Sequence, residues 1–260
     1  MTSITPARPS LTSNDSAVLQ ALFDAESSPS SGIKINSSLP SWPSSLSISE
    51  SDLPSLKQRE SEIIRKIQGD ESPSQETVSS ALSEFDNLIL KNKTYPSAYI
   101  NRAQTLRLLV DLIHNKETGN SEVPNTEIQD GALFSPQTSQ LCSRIFSDLG
   151  QAITLATPAS PADAVSSVQA RLLADAHTHR GYLLLKAARA KKACSGDEDA
   201  GPERLRGLGS EQLEEIASQD FFFGGRYGNK VAQQLAVQTN PYAKMCGSIV
   251  KEALRKELEG

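Results

Sequence analysis

Two residues in this 260-residue sequence with the type and proximity for metal chemistry are His177 and His179, separated by Thr178. Imidazole nitrogens are common zinc ligands, but residues two apart on a helix point about 200° away from each other and cannot close on one ion. No Asp, Glu or His cluster stands nearby at ligand spacing, so the pair reads as one core-facing and one exposed histidine. Cys246 has the type of a nucleophile, but no histidine lies in its own segment, and helix packing is the reading. Two glycine-containing runs, GLGS from Gly207 to Ser210 and FGGRYG from Phe223 to Gly228, follow no strand and so cradle no phosphate. RAKKAC, from Arg189 to Cys194, is basic but is followed by GDEDAG, which reads as a helix end and loop rather than a nucleic-acid patch. No set of nucleophile, base and oxyanion donors can be assembled. The expectation is a protein that is not an enzyme and uses no cofactor or metal.

The bulk properties agree. A net charge of -5 argues against nucleic acid as a partner, because phosphate binding needs a basic patch. No apolar run approaches the roughly 20 residues that span a bilayer, and the start, MTSITPARPS, lacks the apolar core of a signal peptide. Cys142, Cys194 and Cys246 are odd in number and far apart, which suits reduced thiols. The expected location is the cytoplasm, with the nucleus left open, and the expected state is a monomer. Apolar residues make up 37% of the chain, low enough to indicate a core diluted by polar segments.

The elements that position any site are helical. Residues 1–13 are expected to be disordered, and 14–25 to form a short helix with Val18, Leu19, Leu22 and Phe23 on one face. About half of the stretch from 26 to 52 is Ser, with several Pro, and it reads as a tether. Trp42 within it is a docking anchor or, as favoured here, a solvated aromatic. From Leu53 the apolar period is helical throughout, and no alternating β-branched run appears. Helices are expected in LPSLKQRESEIIRKIQ, SQETVSSALSEFDNLILKN, PSAYINRAQTLRLLVDLI, SQLCSRIFSDLGQAITLA, the long ADAVSSVQARLLADAHTHRGYLLLKAARAKKA from Ala162, SEQLEEIASQDFFFGG, NKVAQQLAVQT and PYAKMCGSIVKEALRKELE. Long loops are expected at 114–139 and 194–210, and the stretch 158–173 also lengthens the array.

Paired helices invite a search for repeats. Ala81-x3-Phe85-x2-Leu88, Ile145-x3-Leu149-x2-Ala152 and Ala217-x3-Phe221-x2-Gly224 share a small-and-large pattern at one spacing. Tyr99, Ala103 and Leu106 form a second pattern, which His177, Gly181 and Leu184 repeat with the first position substituted. These resemble the second-helix and first-helix signatures of tetratricopeptide repeats. Small residues let the two helices of a hairpin approach, and large ones fill the gap to the next hairpin. The predicted fold class is an all-α superhelix of three helix hairpins over 53–258. Its repeats run from about 53 to 93, 96 to 157 and 174 to 228, with capping helices over 229–258. The cap starts at Asn240 and Pro241, with Tyr242, Met245, Ile249 and Ala253 as its apolar stripe and Cys246 at the edge.

NDSAVLQALF (Asn14 to Phe23) and DFFFGGRYGNKVAQQLAVQTNPYAKMC (Asp220 to Cys246) closely resemble the two ends of the tetratricopeptide repeat protein 36 family. YPSAYINRAQTLRL and DLGQAITLA are similar to its second repeat. The resemblance covers most of residues 14–25 and 53–258. It implies a non-enzymatic protein-interaction module, with links to a seventy-kilodalton heat-shock chaperone and to tyrosine catabolism. Repeat domains that grip chaperone tails use a two-carboxylate clamp of Lys/Arg and Asn on first helices. Here the clamp is incomplete: Asn101 matches and Arg59 lies near a cation position, but Ile63, Asp175 and His179 occupy the others. A chaperone is therefore expected to use another surface, and Asn101 to make a structural hydrogen bond.

The expected function is a non-catalytic adaptor or co-chaperone-like protein whose partner is a chaperone or a metabolic enzyme. The first-helix residues expected to line its partner groove are Arg59, Tyr99, Asn101, Arg102, Gln104, Thr105, His179 and Leu183. The alternative is a self-masked scaffold in which helix 14–25 occupies that groove.

Overall fold

The computed structural model describes residues 33–69, 73–118, 134–135, 137–160, 162–193, 202–240 and Arg255. The expected disordered start, the helix over 14–25, Cys194, and Pro241, Tyr242 and Cys246 of the capping motif lie outside the described residues. Among the described residues the elements are helices: α1 (Leu53–Gln68), α2 (Gln75–Lys91), α3 (Pro96–Thr118), α4 (Ser139–Ala156), α5 (Ser167–Ala193), α6 (Ser210–Arg226) and α7 (Lys230–Thr239). No strand is present among them, only an isolated parallel bridge between Ile35 and Val165.

Local chemistry sets the starts of the helices. Ser74 accepts from the Thr77 N–H at 3.1 Å at the head of α2, and Asn229 accepts from the Ala232 N–H at 3.0 Å at the head of α7. At α5, Ser166 Oγ accepts from the Gln169 N–H while Gln169 Oε1 accepts from the Ser166 N–H, so two free first-turn donors are satisfied reciprocally. This box starts α5 at Ser167, later than the expected start at Ala162. By contrast α3 runs on to Thr118, past the expected loop start at 114. Asn240 closes α7 by donating its N–H to Ala236 O at 3.1 Å.

Each helix packs on its neighbour in sequence, and the core lies along the seams. Two apolar clusters form it, and the long helices α3 and α5 run through both. The N-terminal half of α3 (Ala98, Tyr99, Ile100) and of α5 (Leu172, Leu173, Ala176) meets α1 and the end of α4. Their C-terminal halves, including Leu106 and Leu183, meet α6, α7 and the start of α4. All positions of the repeated small-and-large pattern are buried: Ala81, Phe85, Ala103, Leu106, Ile145, Leu149, Ala152, Ala217 and Phe221 are at 0% exposure. Gly181 and Gly224 show why small residues stand there. A Cβ on Gly181 would sit 3.1 Å from Ala217 O and Phe221 Cδ1, and one on Gly224 would sit 2.7 Å from Thr178 Oγ1.

The part of the expected tether that is described, 33–52, is laid against the helices. Asn36 N–H donates to Val165 O, Val165 N–H donates to Lys34 O, and Ser166 Oγ donates to Ser41 O at 2.8 Å. Trp42, expected to be solvated, is only 6% exposed and meets the Tyr95 ring edge-on at 6.1 Å. Leu46 is buried beside it. The reason is that these two large apolar side chains join the apolar cluster to which α1 and α3 contribute, which the Ser/Pro composition of the segment conceals.

Candidate functional site

Three polar stations are built into the helix seams. On α1 the apolar stripe Leu53, Leu56, Ile63 contains one carboxylate, Glu60, at 6% exposure. Its Oε2 accepts from Tyr95 Oη at 2.6 Å and Ser97 Oγ at 3.1 Å, and its Oε1 accepts from Asn101 Nδ2 at 2.8 Å. Burial raises the Glu60 carboxyl above the usual range despite these donors, and burial beside Glu60 raises the Tyr95 phenol. The station ties α1 to α3, and Asn101 makes the structural hydrogen bond expected of it.

The second station joins α2, α3 and α4. Arg102 on α3 donates through Nε to Asp148 Oδ2 and through Nη1 to Asp86 Oδ1, both at 2.8 Å, and Asp86 also pairs with Arg144. Its guanidinium lies over the Tyr99 ring, 5.6 Å from the centroid. The third joins α5 to α6. Asp220 accepts from Arg180 Nε and Nη2, both at 2.7 Å, and lies 2.8 Å from His177 Nδ1. Burial pushes Asp220 up, but the His177 and Arg180 hydrogen bonds outweigh it and hold the carboxyl below the usual range. The His177 ring is stacked on Tyr227 and meets the Phe223 ring at a tilt.

Against this frame the eight residues expected to line a groove separate. Arg59 and Gln104 are exposed, and Arg59 pairs with Glu62 and with Glu84 of α2. Asn101 and Arg102 are half-buried and held by the first two stations. Tyr99, Thr105 and Leu183 are buried at 9%, 5% and 0% exposure, so they offer no open surface; Thr105 Oγ1 bonds back to Asn101 O. Leu183 belongs to the seam because a leucine at that turn of α5 faces the α3–α4–α6 cluster. His179 is half-buried with its Nε2 fully enclosed, so neither histidine of the pair is exposed. His177 turns to α6 and His179 is within electrostatic reach of Arg107 on α3.

Cys142 is a buried free thiol pushed up to about 12 by burial, a packing residue rather than a reactive one. Among the described residues no three His, Cys, Asp or Glu side chains are gathered as metal ligands. No described helix is long and apolar enough to cross a membrane. Glu60, Asp148 and Asp220 were missed by sequence reasoning. Their signal was available: each is an acidic residue set at helical spacing inside an apolar stripe, a position that requires a partner when buried.

The described chain is thus an all-helical protein of sequentially packed helices whose seams are pinned by buried ion and hydrogen-bond stations. It is 64% identical to the L-tyrosine degradation gene cluster protein hmgX of Aspergillus fumigatus over 260 residues, covering 100% of this chain and 98% of that protein. The chain belongs to the family of that protein. No family profile matches the chain, and no solved structure does.

Proposed function

We propose that this chain is a non-catalytic adaptor of the tetratricopeptide repeat kind, resembling the repeat protein 36 family, that acts in tyrosine degradation by binding a protein of that process. The relative's name supplies the process. The observation that carries the adaptor reading is the arrangement of helices: the repeated small-and-large positions are buried in successive seams. In addition α1 touches α3 through Glu60 and Asn101, and α3 touches α5 through Arg107 and Tyr182. Hairpins stacked first helix to first helix leave one continuous face of such helices for a partner. A chaperone is the alternative partner, reached by a surface other than a two-carboxylate clamp.

Gln104 is the exposed residue in the middle of α3, so it tests the face without touching a station. Tagged chain expressed in a tyrosine-degrading host should co-purify a protein of tyrosine breakdown, and Gln104→Arg should remove it. Recovery of that protein unchanged by Gln104→Arg would count against the first-helix face. Normal growth on tyrosine after deletion of the gene would end the assignment to the process.

A further inference from the structure

Among the described residues two phenylalanines stand in water, and they are adjacent: Phe222 is 54% exposed and Phe223 41%. Both belong to the FFF run near the end of α6, which the seam divides. Leu213, Ala217 and Phe221 lie at helical spacing, fully buried in the apolar cluster shared with α5. The next two positions along a helix turn about 100° and 200° away from such a stripe. The inner side is also closely packed at its end, since a Cβ on Gly225 would sit 2.7 Å from Gln233 Cγ of α7. Phe222 and Phe223 are therefore held on the outer side. Ile216, 36% exposed and two turns before Phe223, extends the same face.

The two rings are fixed in place. Phe223 meets the His177 ring at 5.3 Å, and His177 Nδ1 is bonded to buried Asp220. Phe222 meets Phe223 edge-on at 5.7 Å and lies 5.6 Å from the Arg226 guanidinium, which has a further interaction of its own. Rings already held by their neighbours lose little freedom on association, and aromatic side chains are the usual anchors of protein interfaces. A cluster of exposed apolar side chains bordered by charge marks an interaction surface.

Charge along the face is graded. Glu211 and Glu215 are exposed near the start of α6, Arg226 lies in its last turn, and exposed Lys230 opens α7 just beyond. Two such faces laid parallel would set carboxylates against carboxylates. Turned end for end, the acidic end of each meets the basic end of the other, Glu215 comes opposite Arg226, and Ile216 comes opposite Phe223. The order acid, apolar, base is complementary to itself.

We propose that the outer face of α6 pairs with the same face of a second copy of this chain, antiparallel about a two-fold axis near Gln219. Such a contact uses one patch twice, so each Glu215 faces the other copy's basic end and both ends are matched at once. The dimer is weak. Roughly 100 Å² of each exposed ring remains to be buried, against roughly 800 Å² per partner in a standard interface, which puts dissociation in the micromolar range or above. The pairing departs from the monomer expected from the sequence. It uses a second helix, whereas the adaptor face lies on first helices, so neither depends on the other.

Sedimentation velocity of the full chain from about 1 μM to about 500 μM should show a monomer passing to a dimer. Replacing both rings, Phe222→Ser with Phe223→Ser, should move the transition at least about tenfold upward in concentration. Charge variants serve if that variant does not fold. Glu215→Arg alone and Arg226→Glu alone should each weaken the dimer, because each sets like charges together. An equimolar mixture of the two should restore it, because both end contacts are then opposite in sign. A monomer at every concentration would overturn the pairing and leave the face to residues 14–25 or to another protein. A dimer unchanged by loss of both rings, or a mixture as weak as its two components, would overturn it as well.

Discussion

Single residues decide which charges the seams tolerate. Glu60 is the clearest case, because three donors converge on a carboxylate that burial nevertheless raises above its ordinary range. The linkage follows from that direction. In the unfolded chain the carboxyl ionises near its ordinary value, and in the folded chain only at higher pH. Its contribution to stability is therefore full below the unfolded value and is lost as pH rises through the folded one. Glu60→Gln has no such term. The stability difference between wild type and Glu60→Gln, measured by urea titration at pH 4 and again at pH 7, should move in favour of the variant at the higher pH. A gap that widens in favour of wild type would mean that the donors, not burial, set the balance. Glu60→Ala, by contrast, strands Tyr95 and Asn101 and should cost about 1–3 kcal/mol.

Helix pairs are governed by how closely two backbones approach. The α5–α6–α7 corner depends on Gly224, where an added Cβ would sit 2.7 Å from Thr178 Oγ1, 3.1 Å from Ala232 Cβ and 3.3 Å from Ala174 O. The threonine hydroxyl can rotate, but the alanine and the carbonyl are fixed by their own helices. Gly224→Ala should therefore cost about 1–3 kcal/mol, as overpacking in a dense interior does, seen as a lower urea midpoint at unchanged slope. A Gly224→Ala variant as stable as wild type would show that α7 can shift outward freely. The Ala81, Phe85 and Leu88 spacing and its two counterparts were readable because packing of hairpins demands one size at one place. The station carboxylates Glu60, Asp148 and Asp220 were not read, because a carboxylate in a stripe looks like an interruption until its donors from another helix are known.

The whole molecule is closed by a segment that carries almost no helical signal. Trp42, the single tryptophan in the chain, is buried against Tyr95 in the apolar cluster that also holds Leu46. Trp42→Ala should lower stability by about 3–5 kcal/mol, the usual cost of deleting a large buried ring, and wild-type tryptophan emission should shift to the red only with global unfolding. Emission already solvent-like in the native protein would return 33–52 to the tether that composition implied. Composition counts serine and proline and is blind to where two apolar side chains land.

The sequence by itself determined the described helices, most of their boundaries and the buried repeat positions, because period and capping are local properties that neighbours along the chain enforce. Which polar residues meet was decided only by the tertiary structure. Asn101 finds Glu60 across 41 positions, and Arg102 finds Asp148 across 46. The expected groove divided for the same reason. Tyr99, Thr105 and Leu183 share a first-helix register with Gln104, yet whether a given face of α3 or α5 meets water or another helix depends on where the next hairpin packs, and no spacing within one helix carries that information.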